Sequence, residues 1–124
     1  MNQTNLVYYP CDAAYFFDCI AIQEVKLNKA NKSEKPTQAA KLKFLINSLS
    51  EQISDLKYET VKKSIEYKKL LDINLDIFEL IDNCKNYSVE FKFADSLNHK
   101  RWELKNEIQK KYFGRTTSEI KFGY

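Results

Sequence analysis

Glycine and proline are nearly missing from this chain: Gly114, Gly123, Pro10 and Pro36 are the only ones in 124 residues. Tight hairpins need positive φ, which glycine supplies at least steric cost. So few of them argue against a sandwich or barrel of many short strands. Histidine is limited to His99, and cysteine to Cys11, Cys19 and Cys84 with no C-x-x-C pair. That set fails every zinc spacing, so no metal is expected. Nothing in the sequence places His99 beside a cysteine, and its neighbours Lys100 and Arg101 make it a surface or packing residue rather than half of a dyad. There is no glycine-rich phosphate loop and no nucleophile elbow, and no cofactor is expected. Scattered cysteines of odd number fit reduced thiols in a cytoplasmic setting. No run approaches the about 20 apolar residues of a membrane span. The opening residues, MNQTNLVYYPCDAAYFF, lack the basic and apolar regions of a signal peptide.

What is present is a globular composition, 44% hydrophobic and 14% aromatic, at a length that fits one domain. The net charge of +3 is too mild to imply nucleic acid by itself. Its distribution is uneven. Residues 26–43 hold six lysines against Glu34, residues 72–95 six acids against Lys85 and Lys92, and residues 100–121 seven basic residues against three glutamates. Solvated faces of complementary helices account for such runs.

Read in order, residues 3–9 suggest an extended N-terminal arm. Asp12 is placed to cap a helix over about residues 13–28, whose apolar stripe is wide. The polar stretch 28–36 reads as a loop, and Pro36 suits the first turn of the next helix. That helix has the cleanest pattern in the chain: Leu42, Leu45, Ile46, Leu49, Ile53 and Leu56, an a/d spacing that fits bundle packing better than an independent coiled coil. A turn is expected near residues 55–58, because one helix over residues 37–83 would be a rod of about 70 Å. A third helix is expected over residues 59–83. Its main face is Val61, Ile65, Leu71, Leu75, Phe78 and Ile81, extended by Leu70, Ile73, Ile77 and Leu80. Ser88 is the expected cap of a fourth helix with Phe91, Ala94, Leu97, Leu104 and Ile108 inward, ended by Gly114. The two helices of Tyr67–Ile108, the first apolar and acidic, the second aromatic and basic, are expected to pack as an antiparallel hairpin.

Candidate site residues follow from misfits. Asp72, Asp76, Glu79 and Asp82 share one helix face, which reads as a solvated acidic row in the absence of a second row or an E-x-x-H motif. Asn74 and Asn98 stand in apolar surroundings, where an unpaired amide costs about 1–3 kcal/mol. They are expected to pair with each other or with Arg101 and fix the register of the hairpin. The sharper alternative is a polar pocket of Asn74, Asp82, Asn98, Arg101 and Lys105.

The segments FDCIAIQEVKL (17–27), INLDIFELIDNCK (73–85), NHKRWELKNEI (98–108) and GRTTSEIKFGY (114–124) resemble a family of short, all-helical bacterial and phage proteins of unknown function, often encoded near glycosyltransferases of surface-polysaccharide synthesis. The resemblance marks Asp18, Glu24, Lys26, Asn74, Phe78, Asp82, Asn98, Arg101, Lys105, Glu119, Lys121 and Tyr124. Cys19, Ile81 and His99 depart from the family pattern, where lysine, glutamate and aspartate are usual.

The expected fold is an all-α bundle of three to four helices with a central antiparallel hairpin and an extended N-terminal arm. The first expected function is a non-catalytic interaction or accessory protein, with a protein partner or a homodimer. Nucleic-acid binding through residues 26–43 and the Arg101–Arg115 face is the alternative, with Tyr112 and Phe113 as stacking platforms. A small ligand-binding protein or enzyme using the five-residue polar cluster is the third.

Overall fold

The computed structural model describes Asn5, residues 10–83 and residues 91–115. They form an all-α arrangement of five helices with no strand among them: α1 (Ala13–Lys29), α2 (Lys35–Ser50), α3 (Asp55–Lys62), α4 (Ile65–Asn83) and α5 (Phe91–Ile108). α5 runs on into one π-helical turn, Gln109–Phe113. Most of the arm expected over residues 3–9, the turn after Asn83 and the cap at Ser88 lie outside the described residues.

Serines set the start of α3 and the junction of α3 with α4. The turn expected at residues 55–58 comes earlier, at residues 51–54, because Ser54 Oγ accepts from the Lys57 amide at 3.1 Å and starts α3 there. The single helix expected over residues 59–83 is broken at residues 63 and 64. Ser64 Oγ donates to the Val61 carbonyl (2.6 Å) and accepts from the Tyr67 amide (3.1 Å), so one side chain closes α3 and opens α4. The expected cap at Asp12 makes no side-chain bond to the helix amides. The Ala14 amide donates instead to Gln109 Oε1 at 3.0 Å, from the far end of the chain. Gly114 ends the last turn with φ +96°, as a C-terminal glycine should.

α1 is the centre. It packs against α2 on one side, against α4 and α5 on the other, and against the π turn. Ala14, Phe17, Ile20, Ala21 and Val25 are buried along it. The fully buried Phe17 ring meets Tyr58 at 5.8 Å, Tyr67 at 6.2 Å and Phe113 at 6.0 Å between centroids. On α4 the inward face is Tyr67, Leu70, Ile73, Asn74 and Ile77, whereas Ile65 and Ile81 of the expected main face are each 65% exposed. The bonds Asn74–Arg101 and Glu66–Lys111 pair α4 with α5 and its extension in opposite senses. No described helix is long and apolar enough to cross a membrane.

Candidate functional site

Three of the polar residues that stood out in the sequence gather around one buried carboxylate. Asp18 sits on the inward face of α1 between Phe17 and Ile20 and is 3% exposed. Asn74 of α4 donates its amide to Asp18 Oδ1 at 2.8 Å and to the Leu70 carbonyl at 3.0 Å. Its Oδ1 accepts from Arg101 Nη1 of α5 at 3.3 Å. Arg101 Nε and Lys105 Nζ stand 3.7 and 3.6 Å from Asp18 Oδ2. Those distances are charge contacts rather than hydrogen bonds, and buried Arg101 Nε has no hydrogen-bond partner. Lys105 Nζ also lies 5.4 Å from the Tyr15 ring centroid. Both amide protons and the carbonyl of Asn74 are therefore used within the fold, and the cluster ties α1, α4 and α5 together.

Three of the five expected pocket residues, Asn74, Arg101 and Lys105, meet here. Asp82 and Asn98 do not: both are exposed. The Asn74–Asn98 pairing is absent, because Asn98 lies on the outer side of α5 while Arg101, three residues on, turns inward. Asp18, the hub, was marked in the sequence only through the family resemblance. Its signal was a lone acid inside the apolar run FFDCIAI. The adjoining nucleophile, Cys19, is held as a thiol: burial raises its pKa, and Asp18 adds to the effect while Lys105 opposes it. His99 is far from that chemistry in character. It stacks on exposed Trp102 (5.8 Å) and bonds Glu103 at 2.7 Å on the surface.

Two further polar clusters surround the core. Tyr67 donates to Glu24 Oε2 at 2.9 Å, and Lys62 bonds Glu24 and lies 4.4 Å from the Tyr67 ring centroid. Burial, then the Glu24 charge, pushes the Tyr67 hydroxyl pKa up, so it remains a donor. Glu66 accepts from Lys111 (2.5 Å) and Tyr112 (2.9 Å), and the Lys111 bond holds its carboxyl below the usual range. The expected stacking platforms are thus engaged internally. Phe113 packs on Phe17, and Lys57 donates to the Tyr112 carbonyl at 2.8 Å. The acidic row of α4 is exposed, with Glu79 paired to Lys29 at 2.9 Å. Among the described residues no group of three His, Cys, Asp or Glu side chains could hold a metal ion.

No family model, no curated protein and no solved structure matches this chain.

Proposed function

We propose that the chain is a non-catalytic interaction protein whose conspicuous polar residues hold its helices in register. The observation that carries this is the saturation of Asn74 by Asp18, Arg101 and the Leu70 carbonyl in the interior. Both its amide protons are spent inside the fold, and a ligand would find only the second lone pair of a buried carbonyl oxygen. In this reading α4 and α5 pair as an antiparallel hairpin against the central α1. Membership of the resembled family belongs to the same proposal, with an accessory role beside surface-polysaccharide synthesis and a cytoplasmic setting. Its support is that Asp18, Asn74, Arg101 and Lys105, all marked by the resemblance, meet at one point.

The test is a thermal-shift screen of nucleotides, sugars and nucleotide sugars against the wild type, Asn74→Ala and Asn98→Ala. The expected result is no ligand-dependent shift in any of them, with Asn74→Ala alone melting lower. A ligand that raises the melting temperature of the wild type and not of Asn74→Ala would make the cluster a binding site and end the proposal.

A second reading, nucleic-acid binding, is favoured by the exposed lysines of residues 26–43. It predicts an affinity for mixed RNA and DNA that falls steeply with salt. Lysines alone would carry it, since Tyr112 and Phe113 are packed inward.

A further inference from the structure

α2 is held on one side only. Leu49 is buried against the core, and Leu42, Leu45 and Ile46 are half-buried beside it. α2 also carries Phe44, 56% exposed, on a stripe with Ala40 and Thr37 that borders an open pocket shared with Leu45 and with Gln23 of α1; exposed Lys41 and Lys43 flank it. Neither lysine has a carboxylate partner among the described residues, nor do Lys26, Lys32 and Lys35 in the same corner. Phe44 is one of seven large hydrophobic side chains left exposed among the described residues, here between two lysines without a carboxylate partner.

The converse surface lies beyond α1. A groove of about 350 Å³ runs between α4 and α5. Ile73 and Leu104 form its floor, and Asp72, Asp76, Glu103 and Glu107 stand along its rim against Lys69 and Lys100. Glu103 bonds His99 of its own helix, whereas Asp72, Asp76 and Glu107 have no ion-pair partner among the described residues. The acidic rim outnumbers its lysines by two carboxylates, and the apolar floor is open.

Because α1 stands between α2 and the α4–α5 pair, the ridge and the groove of one molecule cannot meet. We propose that they meet between copies: the α2 ridge of one chain docks into the α4–α5 groove of the next. Phe44 covers Ile73 and Leu104, and Lys41 and Lys43 face the rim carboxylates. A two-fold dimer would need the ridge and the groove on one common face so that each could meet the other twice, and α1 separates them. The contact is therefore head-to-tail. Every chain offers one ridge and one groove, so assembly continues as an open string or closes as a ring. This assignment rests on the chain being an interaction protein and names a second copy as its partner. A monomeric protein whose Asn74 cluster binds nothing would refute the assignment and leave the broader proposal standing.

The test is light scattering of the full chain over a range of concentrations at low and high salt. The wild type is expected to exceed the monomer mass as concentration rises at low salt, and to return to it at high salt as the charges are screened. Lys41→Glu/Lys43→Glu, or Phe44→Glu as a second ridge variant, should be monomeric with unchanged helicity. So should the groove variant Asp72→Lys/Asp76→Lys. A one-to-one mixture of a ridge variant with the groove variant keeps one working ridge and one working groove per pair. It should give a species of twice the monomer mass and nothing larger. A monomeric wild type at every concentration, a mixture that stays monomeric, or an oligomer that either variant retains alone would overturn the assignment. So would wild-type binding to phosphatidylserine vesicles or to mixed RNA and DNA, lost in Lys41→Glu/Lys43→Glu while the protein alone stays monomeric.

Discussion

α1 and α2 make an instructive contrast. α2 has the most regular apolar spacing in the chain, yet only Leu49 of its residues is buried, and Leu56 at the end of the same pattern is 79% exposed. α1 has a wide, untidy stripe and is the helix around which the others are arranged, with Asp18 and Gln23 buried among its apolar residues. A regular stripe reports one flat neighbour. An untidy one reports neighbours on several sides, and α1 has them in α2, α4, α5 and the π turn. Periodicity thus tells which side of a helix faces protein, and says little about how deeply.

The sharpest way to break that contrast is to delete one side chain from each helix. Phe17→Ala should cost ~3–5 kcal/mol, since it empties a site lined by three other rings. Leu45→Ala should cost no more than about 1–2 kcal/mol, because Leu45 already keeps part of its surface in water. Urea denaturation midpoints read both, and equal losses would mean that α2 is as central as α1. Asp18→Ala should come next at ~3–5 kcal/mol, leaving Arg101 and Lys105 without their counter-charge. Asn98→Ala on the outer side of α5 should stay within about 0.5 kcal/mol of wild type. A large loss at Asn98 would restore it to the cluster. Gly114→Ala should cost about 1–3 kcal/mol through backbone strain alone, because φ +96° is unfavourable to any Cβ although no atom lies within 4 Å of one built there.

The smallest effect concerns pH. Glu66 has a carboxyl pKa held below its ordinary 4.5, chiefly by Lys111. The unfolded state therefore binds a proton more readily than the folded state does. The stability from this cluster is complete above that ordinary value and is lost as pH falls through the lowered one. Glu66→Gln should flatten that part of the acid limb in melts recorded below about pH 4.5. An unchanged acid limb would place the titration elsewhere.

Several features were legible in advance. The scarcity of glycine pointed to helices, and Gly114 marked a helix end that the structure places there. The exposed acidic row on α4 followed from the lack of a second row or an E-x-x-H motif, and His99, expected as a surface or packing residue beside Lys100 and Arg101, lies on the surface. The turn before α3 was expected a few residues late and the break at Ser64 was missed, because neither glycine nor proline marks them. Serine ends a helix only when its hydroxyl finds the right backbone group, and Ser48 and Ser96 sit inside helices without breaking them. The main face of α4 was misassigned because apolar residues run around most of its circumference, leaving the choice to α1 and Asp18. Asn74 was recognised as out of place, but its partner lay 56 residues away on another helix, beyond the reach of any local spacing.

Composition and spacing by themselves determined that this chain is helical, that α2 turns a particular side inward, and that Asn74 needs a partner. Those are local properties, fixed by backbone preference and by the rise and turn of a single helix. Only the tertiary structure decided that Asp18 is that partner, that Gln109 serves the start of α1, and that half-buried Tyr112 and Phe113 pack against the core. Each of these depends on which distant backbone arrives within about 3 Å of a hydrogen-bonding group, and that is settled by the packing of whole helices on α1.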